Sequence, residues 1–371
     1  MSWHSPVLYA SDFGRLFSLT FILFIAACSG PAHLNQYKDD KRVIQVAAVG
    51  DIMLGTDYPK DTLAPDDLNI LAHVTPVLQQ ADLAFGNLEG VLLDGGEPIK
   101  KCQNLSACYL FRTPTRYALN LKNAGFDVMS LANNHARDFG EAGRTSSMQA
   151  LSAVGVHHSG RLGDVAKMQV KGIKFAMIAF APFGNSHDML DIPKAVELVS
   201  ELAAVHDIVM VSIHAGAEGL EAVHLPFDTE YYHGEDRGDA VKFAHAVIDA
   251  GADLVVGHGP HVPRAVELYK ERLIAYSLGN FCTHWGISVA GIKGLAPILL
   301  ANLRPNGAFL GGQIVSARQQ RPEGPVLDQN HAAARLIRDL SREDFPDSRL
   351  LLDSVGNIRI VPKPDHHIAD K

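Results

Sequence analysis

The chain has 371 residues, enough for one large α/β domain or two medium ones, so core burial does not limit it. Its formal net charge of −8 speaks against general nucleic-acid binding, and its 18 histidines carry weight only where they cluster.

The first residues, 1–28, read as an export signal outside the fold. Arg15 precedes an apolar run, 16–27, with the length of a signal-peptide core and too short to span a bilayer comfortably. The run closes on Ile25-Ala26-Ala27-Cys28-Ser29, which resembles the bacterial lipobox, where the cysteine is lipidated and becomes the mature N-terminus. The alternative is a buried apolar helix with an incidental cysteine. Two or more acyl chains on Cys28 would hold the protein stably at a membrane. The expectation is a cell-envelope lipoprotein facing the periplasm, at the outer membrane in a Gram-negative host because Ser29 follows the cysteine. Residues 29–42 are then a tether. In an exported protein Cys102 and Cys108, with five residues between them in a polar loop, are expected to pair. Such a bridge stabilises its loop by about 2–3 kcal/mol in the chain-entropy model. Cys282, inside an apolar strand end, is expected as a buried free thiol.

From residue 43 strands and helices alternate. A β-branched run, 43–49, stops at Gly50-Asp51; a helix follows over 65–80, and a second strand, 82–86, ends in Asn87-Leu-Glu89-Gly90. Helix 114–123, stopped by Gly125, leads to strand 126–132, which ends in Asn133-Asn134-His135, and then to helix 141–153. Strand 174–181, helix 192–204 and strand 207–213 bring the chain to His214-Ala-Gly-Ala-Glu218. Residues 219–238 read as a long loop, the natural place for substrate selection. Helix 239–250 precedes strand 253–256, closing on Gly257-His258-Gly-Pro-His261, and strand 272–278, closing on Gly279-Asn280-Phe281. Strands 296–303 and 308–317 flank the hairpin turn Pro305-Asn306-Gly307, and a C-terminal extension, 321–371, holds one helix over 329–342.

This alternation predicts an α/β fold with buried strands, in which ligands sit at the carboxyl ends of the strands. Asp51, Glu89, Asn134, His214, His258 and His261 all fall just past a predicted strand, a regularity that packing does not require. Two carboxylates, one amide and three imidazoles suit a divalent ion such as Mn, Zn, Fe or Mg. Six donors exceed the needs of one catalytic zinc, so two ions about 3.5–4 Å apart, bridged by a carboxylate, use them better and would activate water. His135 is then the expected proton donor to a leaving oxygen. Taken alone, the Asn-Asn-His stretch reads first as a helix cap beside a packed imidazole, and only the other strand ends shift that balance.

In order, Gly50-Asp51, Asn87-Leu-Glu89-Gly90, Leu131-Ala-Asn-Asn-His135, His214-Ala-Gly-Ala-Glu218, Gly257-His258-Gly-Pro-His261 and Tyr276-Ser-Leu-Gly-Asn-Phe281 resemble the bacterial capsule or poly-γ-glutamate synthesis proteins of the CapA type. These are a branch of the calcineurin-like metallophosphoesterase superfamily, and the resemblance covers about 43–281. It implies a four-layer α/β/β/α sandwich with two mixed sheets, filling a domain of 43–320. It further implies Asp51 and His261 on a first ion, Glu89 as the bridge, Asn134, His214 and His258 on a second, and His135 as the catalytic histidine.

Three departures leave the first ion's site the less complete. The usual Asp-x-His is here Asp51-Ile-Met53, and a thioether is a poor ligand for hard ions, so Met53 reads as core. The bridge is Glu rather than Asp, and Pro260 lengthens the usual Gly-His-x-His. Glu218 reads as a partner orienting a ligand or as an ordinary loop carboxylate. Arg112 and Arg264 offer planar forks to a phosphate or carboxylate, or form structural ion pairs; Asn280 contacts substrate or holds the turn behind the metals.

The leading expectation is an envelope-anchored, metal-dependent hydrolase of a phosphoester or related bond. The family ties it to capsule or poly-γ-glutamate synthesis and to the export machinery. The alternative is a non-catalytic, metal-stabilised accessory protein that binds an anionic polymer during export. A periplasmic nucleotidase or phosphatase is a third.

Overall fold

The computed structural model describes residues 40–99 and 109–362. Within it, the strand Ile44–Met53 shows why the chain stacks in layers. Ile44, Val46 and Ala48 point to one side and Ala47 and Val49 to the other, and all are buried, so both faces of this strand need cover. The first set packs against Phe175, Met177, Met210 and Val256 of a second sheet. The other set lies beneath Leu78, Tyr117 and Leu121 of the helices Thr75–Gln80 and Tyr117–Ala124. On the far side, Val209, Val211 and Ile213 meet Val199, Phe243 and Val247 of the helices Ile192–Ala203 and Ala240–Asp249. The result is the expected helix, sheet, sheet, helix sandwich.

The first sheet has nine strands. Ile44–Met53, Leu83–Leu88, Val128–Ser130 and His157–Ser159 run parallel in that order, while Ile298–Leu303 and Phe309–Val315 add antiparallel on the other side. The second sheet has seven, with Ile173–Ala181, Ile208–His214, Leu254–His258 and Arg272–Ala275 parallel and an antiparallel strand at each end. Both sheets are mixed, and the carboxyl ends of their parallel strands share one edge of the sandwich.

Several expectations are revised. Helix 65–80 is confined to Thr75–Gln80, because Asn69 caps a turn at Leu71 and breaks the run before it. The C-terminal segment, expected to hold one helix, carries strands as well. Ala334 and Ile337 of the helix Ala332–Asp344 enter the core between the sheets, and Leu350–Leu352 and Asn357–Ile360 lengthen the first sheet. The long loop 219–238 contains a short ladder, Tyr231–Tyr232 on Glu235–Asp236. Cys282 is a buried free thiol, and burial pushes its pKa up. Residues 1–39, including Cys28, and the Cys102–Cys108 loop lie outside the described residues.

Candidate metal centre

The six candidate donors come from both sheets, and the backbone brings them to the shared edge. Asp51 lies two residues before the end of Ile44–Met53, at a register irregularity where that strand also pairs with Asn280–Thr283. The close approach requires Gly50, since a Cβ there would stand 1.9 Å from the Gly279 carbonyl oxygen. Glu89 directly follows Leu83–Leu88, and Asn134 and His135 follow Val128–Ser130. His214 and His258 are the last residues of neighbouring parallel strands and stand opposite each other in register. Past the turn at Gly259 and Pro260, His261 adopts a left-handed φ of 58° and folds back toward Asp51.

Asp51, Glu89 and His261 offer donor atoms that all lie within 4.8 Å of one another. These are the candidate ligands of the site that the sequence leaves less complete. The Nδ1 of His261 lies 3.0 Å from both Asp51 Oδ2 and Asn280 Oδ1, and its Nε2 is 3.5 Å from Glu89 Oε1. His258 Nδ1 stands 3.3 Å from Asp51 Oδ1 without the alignment of a hydrogen bond. Burial alone would raise the Asp51 carboxyl, but the His258 and His261 imidazoles outweigh it and hold the group well below the usual carboxylate range. Glu89 is pushed well above its ordinary value, first by desolvation and then by Asp51, Glu218 and Asp138, against the pull of His261. Desolvation lowers His261, yet Glu89 and Asp51 raise it to about 10. His214, wholly enclosed, is driven well below 6.5 by burial.

Whether these residues suit a metal is answered by their unused atoms. Both oxygens of Glu89, the Oδ1 of Asn134 and both ring nitrogens of His214 and of His258 are buried without a hydrogen-bond partner among the described residues. Buried polar atoms are nearly always paired, so four such side chains at one sheet edge call for a common partner. A divalent cation suits carboxylate, amide and imidazole donors together. Met53 supplies none of this: it is buried, and its sulfur accepts from the backbone N–H of Gly55.

Around the donors runs a hydrogen-bonded frame that the sequence does not announce. Asn87 donates to Asp51 Oδ1, and Asn133 donates to Asn87 Oδ1 and to the Leu88 carbonyl. The Asn133 oxygen accepts from the backbone N–H of His135, so this amide shapes the turn that aims its neighbours. Asp138, absent from the sequence-based set, lies 2.7 Å from His135 Nδ1 and accepts from the backbone N–H of Phe111. Phe111 packs on the imidazole with ring centroids 4.3 Å apart. The Nε2 of His135 is 4.0 Å from Glu89 Oε1. The i, i+3 spacing from His135 to Asp138 was the available signal.

Glu218 Oε2 is 3.8 Å from His261 Nε2, while its Oε1 accepts from Arg237. Arg237 is buried, bonds Glu235 as well, and lies over the Phe183 and Tyr232 rings. Asn280 sits beside the trio, holding His261. Arg112 and Arg264 are drawn elsewhere: Arg112 pairs with Asp57 and the Gly96 carbonyl, and Arg264 closes a bidentate fork on Glu230. Each thus forms an ion pair of the kind the sequence weighs against a substrate contact. Glu89, His135, Glu218 and His261 open onto a cavity of about 290 Å³, whose other walls include Tyr109, Phe111, Tyr232 and Lys293.

A model of the family described as bacterial capsule synthesis protein PGA_cap matches residues 45–284. The chain is 30% identical over 350 residues to the PGA biosynthesis protein CapA of Bacillus subtilis (strain 168), spanning 88% of this chain and 85% of that one. It is 28% identical over 319 residues to the capsule biosynthesis protein CapA of Bacillus anthracis, spanning 81% and 74%. Among solved structures, a 5'-nucleotidase precursor from Thermus thermophilus aligns at a TM-score of 0.43 and 12% identity, covering 81% of this chain and 59% of that one.

Proposed function

The chain belongs to the bacterial capsule synthesis protein family PGA_cap, and on that premise we propose that it is a metal-dependent hydrolase of the cell envelope. Its substrate is an anionic polymer or a phosphoester, met during capsule or poly-γ-glutamate synthesis beside the export machinery. A lipidated Cys28 holds it at the membrane, facing the periplasm. The observation that carries the reading is the set of buried donors without a partner among the described residues, of which Glu89 also lines the cavity that receives His135. Asp51, Glu89 and His261 would hold one ion, and Asn134, His214 and His258, sharing Glu89, a second. Bound there, divalent metal supplies an activated water and charge stabilisation at the scissile group.

The remaining chemistry belongs to the side chains. His135 keeps Nδ1 on Asp138 and presents Nε2 to the cavity, so a proton carried on Nε2 is placed for a leaving oxygen or nitrogen. Phe111 limits rotation of the ring, and the apolar faces of Phe111 and Tyr232 reduce the water around it.

Metal analysis of purified protein should find about one to two transition-metal ions per chain. His135→Ala should keep that metal and lose hydrolysis of simple phosphoesters or γ-glutamyl amides by about 100-fold or more. Metal-free protein of normal stability would refute the metal centre. A second reading rests on Met53, whose thioether stands where the superfamily carries an imidazole: a metal-stabilised accessory protein that binds the polymer without cutting it. Metal-loaded wild type that binds polymer and turns over neither substrate class would favour it.

A further inference from the structure

The cavity above the metal donors has a basic wall that neither the sequence motifs nor the proposed ligand set uses. Residues 286–293 form that wall, contributing Gly286, Ile287, Ser288 and Lys293. Lys293 is half-buried, and among the described residues its ammonium makes no hydrogen bond and no ion pair, although Glu89 and Glu218 line the same cavity. Other cations of this region are committed: Arg237 to Glu218 and Glu235, Arg112 to Asp57, Arg264 to Glu230, and Arg321 to the carbonyls of Thr283 and Ile287. A half-exposed ammonium with no partner among the described residues keeps its charge available, and at the wall of this cavity it faces any anion that enters.

The backbone holds this lysine in place. Its N–H donates to the Ala290 carbonyl, and a Cβ on the following Gly294 would meet the Val289 oxygen at 2.2 Å, so the turn is tight. Its carbonyl accepts from Asn280 Nδ2 at 3.2 Å, and the Oδ1 of that same amide lies 3.0 Å from His261 Nδ1. One amide therefore ties the lysine backbone to a donor of the metal trio.

We propose that Lys293 is the specificity-determining cation of the cavity, taking an anionic oxygen group of the substrate adjacent to the bond that is cut. The inference rests on the reading of this edge as a hydrolytic metal centre. The anion is either a free carboxylate on a γ-linked glutamate chain or a phosphate oxygen. The aromatic walls of Tyr109, Phe111 and Tyr232 suit the methylene groups of such a chain.

Calorimetric titration of the manganese-loaded full-length protein tests it. The probes are a γ-linked glutamate pentamer, its neutral methyl ester and inorganic phosphate. Lys293→Ala should weaken the acidic pentamer about tenfold, as expected for a charge-assisted contact, and leave the ester unchanged. Lys293→Arg should restore binding, and Lys242→Ala, which removes an equal charge from an outer helix, should have no effect. A Lys293→Ala loss confined to phosphate, with no pentamer binding by wild type, keeps the cation and rejects the glutamate chain. An equal loss for acid and ester, or no loss for any probe, overturns the role of Lys293. Manganese stoichiometry measured on each variant reports separately on the metal centre.

Discussion

His135 owes its orientation to three neighbours: Asn133 takes its backbone N–H, Asp138 its Nδ1, and Phe111 one face of its ring. Asp138→Asn preserves the shape and removes the charge that faces Nδ1. Hydrolysis should fall about 10–100-fold with a changed pH–rate profile, while the metal content stays at the wild-type value. Loss of metal in that variant would make Asp138 a structural residue. The six candidate donors could be picked out one residue at a time because each stands at or just past a strand end, where a polar side chain departs from an apolar run. Asn87 and Asp138 were not, because their meaning lies in hydrogen bonds to side chains that only the tertiary fold brings near. Lys293 is a further case: nothing in Gly291-Ile-Lys293-Gly294 marks a cavity wall.

Among elements, the loop 219–238 and the turn after His261 lean on one buried ion pair. Arg264 has no exposed side-chain surface; it bonds both oxygens of Glu230 and donates to the Ala222 carbonyl. Removing one partner strands the other charge, so Arg264→Ala should cost about 3–5 kcal/mol in denaturant unfolding. Metal stoichiometry should be retained, and a variant of normal stability with lost substrate binding would instead make Arg264 a substrate contact. The principal strands and helices could be read from continuous apolar runs and from Gly or Asp at their ends, as with Gly125 and the caps Asp191 and Asp239. Strands such as Ala166–Val170 and Asn357–Ile360 could not, because they are short and each takes its identity from the strand it pairs with.

For the molecule as a whole, metal bound at this edge would couple folding to pH. The His261 pKa, raised from 6.5 to about 10, contributes stability that is complete below the unfolded value and lost as pH rises through the folded one. Glu89, raised above 4.5, favours its neutral form, so ionising it costs stability on the alkaline side of that value. Metal-free protein should therefore weaken as pH rises. Metal binding requires both groups deprotonated and tightens over the same range. Chelation should lower Tm more at about pH 9 than at about pH 6, read by thermal unfolding with and without chelator. A chelator effect independent of pH would contradict this coupling. The layered architecture was legible because both faces of the central strands are apolar. The closure of the first sheet by the last strands was not, since Leu350–Leu352 and Asn357–Ile360 are short and take their place only from the strands they pair with.

The pairing of His214 opposite His258 has a consequence for how the chain reaches its native state. Side chains alternate across a strand, so a slip of one residue would turn an imidazole out of the site and an aliphatic neighbour into it. A chain that closes its second sheet in the wrong alignment would then be unable to take up metal. An ion bound there would act as a proofreader of assembly, rewarding only the alignment in which both histidines arrive together.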